Sequence, residues 1–134
     1  MTFLLKEGRI KRNGVVNMET VKLNLNKDFR RLYGRGHSYV DSCVVTYIMR
    51  NRRGVIRYGI TTGKKIGCAV MRNRARRVID AAVRECVKNV DCSGADIVFV
   101  ARTKTPFLKS TDVEKAIKKS FEAEGLYQSE KSSD

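Results

Sequence analysis

The chain has 134 residues, 28 Lys+Arg against 14 Asp+Glu, and a formal net charge of +14. That length suits one domain with short tails rather than two independent cores. An apolar fraction of 42% supports a real core and exceeds that of a wholly disordered chain. With no Trp and a single His, a His-rich metal cage is excluded, and the positive excess points to a polyanion, nucleic acid first and an anionic membrane second.

The charge is lopsided. Residues 1–77 hold 19 Lys+Arg and 4 Asp+Glu, whereas residues 78–134 hold 9 and 10. An excess confined to part of the chain predicts a basic face rather than scattered solvated charge. No window approaches the roughly 18–20 apolar residues of a membrane span. The start, Met1 to Arg12, carries only the short run Phe3-Leu4-Leu5, unlike a secretory signal. Cys43, Cys68, Cys86 and Cys92 contain no C-x-x-C pair, so neither a zinc knuckle nor a redox motif is indicated. Four cysteines are compatible with two disulfides by count. A core-forming chain without a signal favours reduced, half-buried thiols in a cytoplasmic setting.

In chain order, residues 1–22 lack a period and carry several charges, which predicts a flexible or loosely docked basic N-terminal arm. Asn26 is placed to cap a first helix, with Phe29, Leu32 and Tyr33 on one apolar face and Gly34 and Gly36 ending it. Cys43 to Met49 is β-branched and aromatic, hence a strand. Residues 51–54 supply a turn, and Arg57 to Thr62 reads as an antiparallel hairpin partner. A long helix is predicted from about Gly67 to Val90, with Met71, Ala75, Val78, Ile79, Ala82 and Cys86 in one arc of about 100°. Asn73, Arg74, Arg77, Asp80, Arg84 and Lys88 fall on its other side. Asp96 to Ala101 is nearly continuously apolar, as in a strand buried on both faces. Thr111 and Glu114 form a capping-box pattern. It opens a last helix with Val113, Ile117 and Phe121 inward and Gly125 at its end. Phe99, Phe107 and Phe121 are assigned to the core, and residues 128–134 read as a frayed polar tail.

The order helix-strand-strand-helix-strand-helix predicts a single small α+β domain over residues 23–127, with helices packed on a small sheet. The 57–101 unit joins parallel strands, for which the general rule gives a right-handed crossover.

The densest feature is Lys64-Lys65 followed by Arg72, Asn73, Arg74, Arg76 and Arg77. It holds six basic residues and no acidic one between 64 and 77. Such a run repels itself unless counterions or phosphates relieve it. Arg supplies planar bidentate donors and Lys a mobile point charge, and Asn73 adds hydrogen bonds to sugar or base. Gly59 to Lys65 looks like a phosphate loop but fails the test. Three residues, not four, separate its glycines, and Lys65 stands where a Ser or Thr would meet magnesium. Phe29, Tyr33 and Tyr47 are the second constellation, since aromatics beside cations hold single strands by stacking, although this spacing also suits core packing. No catalytic triad, H-E-x-x-H motif or carboxylate pair stands out, and His37 sits in an exposed Gly-Ser setting. No residue is therefore assigned a catalytic or metal-binding role.

Arg57–Arg77 (RYGITTGKKIGCAVMRNRARR) resembles the protein component of bacterial ribonuclease P. The likeness lies in a strand, a Lys64-Lys65 turn, and a helix beginning Arg72-Asn73-Arg74 with Arg76-Arg77 following. Asp28 to Tyr33 with Gly36 is similar to that family's first helix and glycine turn, and Asp96–Arg102 to its buried strand. The resemblance implies an α+β domain whose βαβ crossover is left-handed, overriding the general rule. It implies an RNA-binding subunit of a ribonucleoprotein endoribonuclease. There the partner RNA, with its magnesium, removes the 5′ leader of precursor tRNA, and the protein lowers the magnesium requirement and is not catalytic alone. One protein per RNA, with no membrane, is the implied assembly. Phe29, Tyr33 and Tyr47 match the leader-binding cleft, and Lys64, Lys65, Arg72, Asn73, Arg74, Arg76 and Arg77 match the RNA-contacting stretch.

Two positions depart from the family pattern. Thr62-Gly63 stands where Val-Ser is usual, so a hydroxyl is missing at 63. Asp80 stands where a basic residue is common, and pairing with Arg76, Arg77 or Arg84 would thin the field there. Two other readings remain: a structural RNA-binding protein without a processing role, and a polyanion- or membrane-surface module. The last lacks the wide apolar face of an interfacial helix.

Overall fold

In the computed structural model, residues 3–4, 9–12, 15–23, 25–90 and 94–126 are described. They form strands β1 (Phe3–Leu4), β2 (Arg9–Arg12) and β3 (Val15–Lys22), helix α1 (Asn26–Arg35), and strands β4 (His37–Val40), β5 (Val44–Arg50) and β6 (Val55–Thr61). Helix α2 (Ala69–Cys86), strand β7 (Ala95–Ala101) and helix α3 (Ser110–Glu124) follow. The sheet order is β1-β2-β3-β6-β7-β5-β4. Five strands, β3 to β4 in that order, make the mixed sheet of the domain, and β1 and β2 extend it as an antiparallel ribbon.

The expected hairpin between 43–49 and 57–62 does not form. β7 lies between β5 and β6, antiparallel to the first and parallel to the second. The reason is visible in β7 itself. Ala95 through Phe99 are all buried, and an apolar run on both faces is satisfied only in the middle of a covered sheet. The turn after β5 therefore passes the start of β7, with the Asn51 N–H donating to the Gly94 carbonyl at 3.1 Å. The β6–α2–β7 unit does join adjacent parallel strands, as expected.

The arm reading is also corrected. Glu19–Lys22 of β3 pair in parallel with Val55–Tyr58 of β6, so the sheet begins before residue 23. Strand β4, one edge of the sheet, was not anticipated. It is four residues long, mostly exposed, and too short to show a period. Residue 127 and the tail at 128–134 lie outside the described residues.

The sheet has two unlike faces. On one, α2 and α3 cover Ile48, Ile56, Ile97 and Phe99, joined by Ile79, Ile117 and Phe121, all fully buried. Each such side chain contributes about 1.5–3 kcal/mol by leaving water. On the other face α1 brings Leu32 onto Val98, with Phe29, Tyr47, Met49 and Val100 partly buried around them. One short helix cannot cover that face, so part of it stays accessible.

The helix ends differ in detail from the sequence reading. Asn26 is the first helical residue of α1 rather than its cap, since Leu25 holds the extended cap position. The start of α3 is tied by Asp112, whose carboxylate accepts the Lys109 N–H at 3.4 Å. Glu114 instead pairs with Lys118 at 3.0 Å. Val113, Ile117 and Phe121 point inward as expected. Gly125 closes α3 at φ +82°, a left-handed conformation suited to glycine. In α2 the buried stripe is Ala75, Ile79, Ala82, Val83 and Cys86, with Met71 and Val78 half-buried. Val83 is the inward residue that the arc omitted.

Candidate nucleic-acid interface

The three aromatics assigned to a cleft come together. Tyr33 projects from α1 over the open half of the sheet and meets Tyr47 of β5 edge to face, with ring centroids 5.0 Å apart. Tyr33 is 43% exposed, and its hydroxyl shares a 3.2 Å hydrogen bond with Thr61 at the end of β6. Phe29 packs its ring edge against Gly59. A Cβ at that position would stand 2.6 Å from the ring, so glycine is what lets the helix sit this low. Asn26, Phe29, Arg30, Tyr33, Ile60 and Thr61 line a shallow groove of about 460 Å³. Thr61 and Arg30 were not singled out from the sequence, because nothing local reveals that a strand end and a helix flank will face each other.

The cations of the basic stretch are exposed apart from Arg72. Lys64 and Lys65 occupy a short 3-10 turn directly after β6, three residues beyond the groove's Thr61. Asn73, Arg74, Arg76 and Arg77 are exposed on α2, and Arg72 is half-buried. Arg76 donates to the Thr62 hydroxyl at 2.8 Å and to the Asn73 side-chain oxygen at 3.0 Å. Thr62 thereby ties the helix to the turn that leaves the groove. Among the described residues, none of Lys64, Lys65, Arg72, Arg74, Arg76 and Arg77 has an acidic partner.

Asp80 does not thin this field at Arg76 or Arg77. Its carboxylate turns toward the sheet, accepting the Tyr58 hydroxyl at 2.6 Å and pairing with Lys22 at 3.5 Å and Arg84 at 2.9 Å. Burial opposes the charge on Asp80, but the Tyr58 hydroxyl and the Lys22 and Arg84 cations outweigh it and hold its pKa low. Lys22 also stands 4.7 Å over the Tyr58 ring. The substitution of an acid for a base in the family pattern is thus absorbed by a contact between β3, β6 and α2.

Not every cation of the basic half faces solvent. Arg57 donates to buried Asp96 through Nε at 2.8 Å and through its terminal nitrogen at 2.6 Å, and Asn51 adds a 2.6 Å hydrogen bond. Arg31 of α1 reaches Asp96 and Asp28 at 3.2 Å each. This network anchors α1 to the sheet and so sets the depth of the groove. His37 is exposed as expected, and its Nδ1 lies 2.9 Å from a Glu124 carboxylate oxygen. The Tyr39 hydroxyl donates to the same carboxylate. Burial first, then Glu124, pushes the Tyr39 pKa up to about 12, so this clamp between β4 and α3 keeps its proton at neutral pH.

Cys43 and Cys68 are free thiols; Cys86 is buried and its thiol donates to the Glu114 carbonyl at 3.5 Å, and Cys92 lies outside the described residues. Contrary to the half-buried expectation, Cys68 is exposed just before α2. Hydrogen bonds from the Met71 and Val70 backbone N–H groups lower its pKa, whereas burial raises that of Cys43. Since the thiolate is the nucleophile, iodoacetamide at pH 7 is expected to alkylate Cys68 before Cys43 or buried Cys86, as peptide mass spectrometry over a time course will show. Phe107 also departs from expectation: it is exposed, not core.

Among the described residues no helix is long and apolar enough to cross a membrane. The site is thus an aromatic groove open on the sheet of a small α+β domain, followed by cations that have no acidic partner among the described residues. The chain matches the Ribonuclease P family model over residues 18–124. It is 36% identical over 110 residues to the "Ribonuclease P protein component" of Clostridium botulinum strain Langeland, covering 82% of this chain and 99% of that one. It is 38% identical over 99 residues to the protein of the same name from Clostridioides difficile, covering 74% and 87%. The fold is similar to the RNase P proteins of Staphylococcus aureus (TM-score 0.66, 25% identity, 80% and 97% covered) and Thermotoga maritima (TM-score 0.62, 25% identity, 72% and 90% covered). The chain belongs to the ribonuclease P protein component family, and membership brings with it tRNA processing in a ribonucleoprotein.

Proposed function

We propose that this chain is the RNA-binding protein subunit of ribonuclease P and assists a catalytic RNA in removing the 5′ leader of precursor tRNA. One observation carries the reading: the groove lined by Phe29 and Tyr33, with Tyr47 edge-on behind Tyr33, runs out at Thr61, and cations without an acidic partner begin at Lys64. A single strand in the groove stacks its bases on the tyrosines. The cations of 64–77 neutralise RNA phosphates beside it. Arg76, held by Thr62 and Asn73, presents its guanidinium already oriented, which reduces the entropy lost on binding.

The phosphodiester hydrolysis belongs to the RNA and the magnesium it binds. Among the described residues no three potential metal ligands stand together, and in this reading the magnesium belongs to the RNA. Its contribution is positioning and charge. Fixed cations beside the scissile region replace part of the screening that magnesium otherwise supplies, so less magnesium is needed. The working assembly is one protein with one RNA in the cytoplasm.

Reconstitution with a ribonuclease P RNA tests this. The chain is expected to lower the magnesium concentration required for cleavage of precursor tRNA; an unchanged requirement would return it to a structural RNA-binding role. Replacing Tyr33 and Tyr47 together with alanine is expected to weaken binding of leader-bearing substrate by roughly 5- to 150-fold, from the loss of one stacked base. Binding of tRNA without a leader is expected to stay the same, and equal losses for both would argue against the groove as the leader site.

A further inference from the structure

The near-neutral half of the chain carries a second basic surface. β6 and β7 run parallel, with Thr61 beside Val100. The Lys64-Lys65 turn and the segment after β7 therefore leave the same end of the sheet, where α2 also begins. That segment holds Arg102, Lys104 and Lys109, all exposed, and among the described residues none of the three has an acidic partner. Between them stands Phe107, 72% exposed.

The backbone there is tightly fixed. Thr105 is fully buried, and its hydroxyl donates to the Cys43 carbonyl at 2.7 Å while accepting the Arg102 N–H at 2.8 Å. Pro106 is buried, and the Phe107 and Leu108 N–H groups close onto Lys104 and Thr105 at 3.0 and 3.1 Å. Leu108 packs onto the core, whereas Phe107 before it stands in solvent. The turn packs against α2, on the sheet face opposite the aromatic groove. The Arg102 guanidinium also donates to the Asp41 carbonyl at 3.2 Å, and an aromatic ring on a rigid support with cations before and after it in the turn suits an unstacked base.

We propose that Phe107 is a base-stacking residue for the catalytic RNA, extending the α2 interface across the Arg102–Lys109 turn. This rests on the ribonuclease P reading above. The catalytic RNA is chosen over the leader because the turn adjoins the basic helix and not the groove.

The chain contains no Trp, so Phe107→Trp introduces a single fluorescent reporter at the site. Phe107→Ala is expected to weaken binding of ribonuclease P RNA by roughly 5- to 150-fold, the range of one stacked base. The log–log salt slope should not change, since a ring releases no counterions. Phe107→Trp should restore the affinity, and its emission should be quenched by the catalytic RNA but not by a leader oligonucleotide. Equal affinities for Phe107→Ala and the unmodified chain would overturn the proposal. So would a lowered thermal midpoint in Phe107→Ala, which would assign the ring to packing, or quenching by the leader oligonucleotide alone. Failure of the unmodified chain to bind ribonuclease P RNA would overturn the broader reading and this one with it.

Discussion

Replacing Arg72, Arg74 and Arg77 with alanine is expected to weaken binding to ribonuclease P RNA by roughly two to two and a half orders of magnitude at about 0.1 M salt. The estimate follows from counterion release. Each phosphate contact contributes about 0.7–0.9 to the log–log salt slope, so removing three should flatten the slope by about 2 to 3. The same variant should fold as well as the unmodified chain. Arg74 and Arg77 are exposed, Arg72 is half-buried, and none has an acidic partner among the described residues. Like charges at Arg72 and Arg76 repel one helical turn apart, a destabilisation of a few tenths of a kcal/mol. The thermal midpoint should therefore hold or rise slightly at low salt. Filter binding across a salt series, read with thermal melts, checks both halves, and an unchanged slope would remove α2 from the RNA interface.

Asp96→Asn is expected to destabilise the domain by about 3–5 kcal/mol at pH 7, the usual consequence of breaking a buried ion pair from one side. The carboxylate is 1% exposed and receives Arg57, Asn51 and Arg31. Losing its charge leaves Arg57, itself only 16% exposed, without its main partner. Burial opposes the charge on Asp96, but hydrogen bonds from Arg57 and Asn51, with the Arg57 and Arg31 charges, outweigh it and hold the pKa below the ordinary carboxylate range. A folded-state pKa below the unfolded value of about 3.9 stabilises fully above that value, and the contribution is lost as pH falls through the folded pKa. The gap between Asp96→Asn and the unmodified chain should thus be widest near neutrality and shrink below about pH 4. Guanidinium denaturation at pH 7 and pH 3 measures it, and a gap independent of pH would assign the loss to packing. Because Arg31 belongs to α1, the variant should also loosen the groove wall that carries Tyr33.

The two variants separate two uses of one residue type. Arg57 and Arg31 look no different in sequence from Arg74 and Arg77, yet the first pair is consumed inside the domain and the second faces outward. The helical period placed Arg74 and Arg77 correctly, since 100° per residue sorts a helix into faces without knowledge of the rest. No local rule pairs Arg57 with Asp96, 39 residues away; that needs β6 and β7 to be neighbours.

Sequence by itself determined the elements whose signals are short-range. These are the apolar face of α1, the buried stripe and bare cations of α2, the doubly buried β7, and the inward Val113, Ile117 and Phe121 of α3. It also carried the central motif by which the family is recognisable. Tertiary structure decided which strands are neighbours. A strand's alternation says which residues share a face but not which strand lies alongside, so the hairpin of β5 with β6 gave way to β7, whose two apolar faces require the centre. The same long-range placement drew β3 out of the presumed arm, turned Asp80 inward to Tyr58, and left Phe107 in solvent. The charge of +14 named a polyanion; the sheet order decided which cations remain free to meet it.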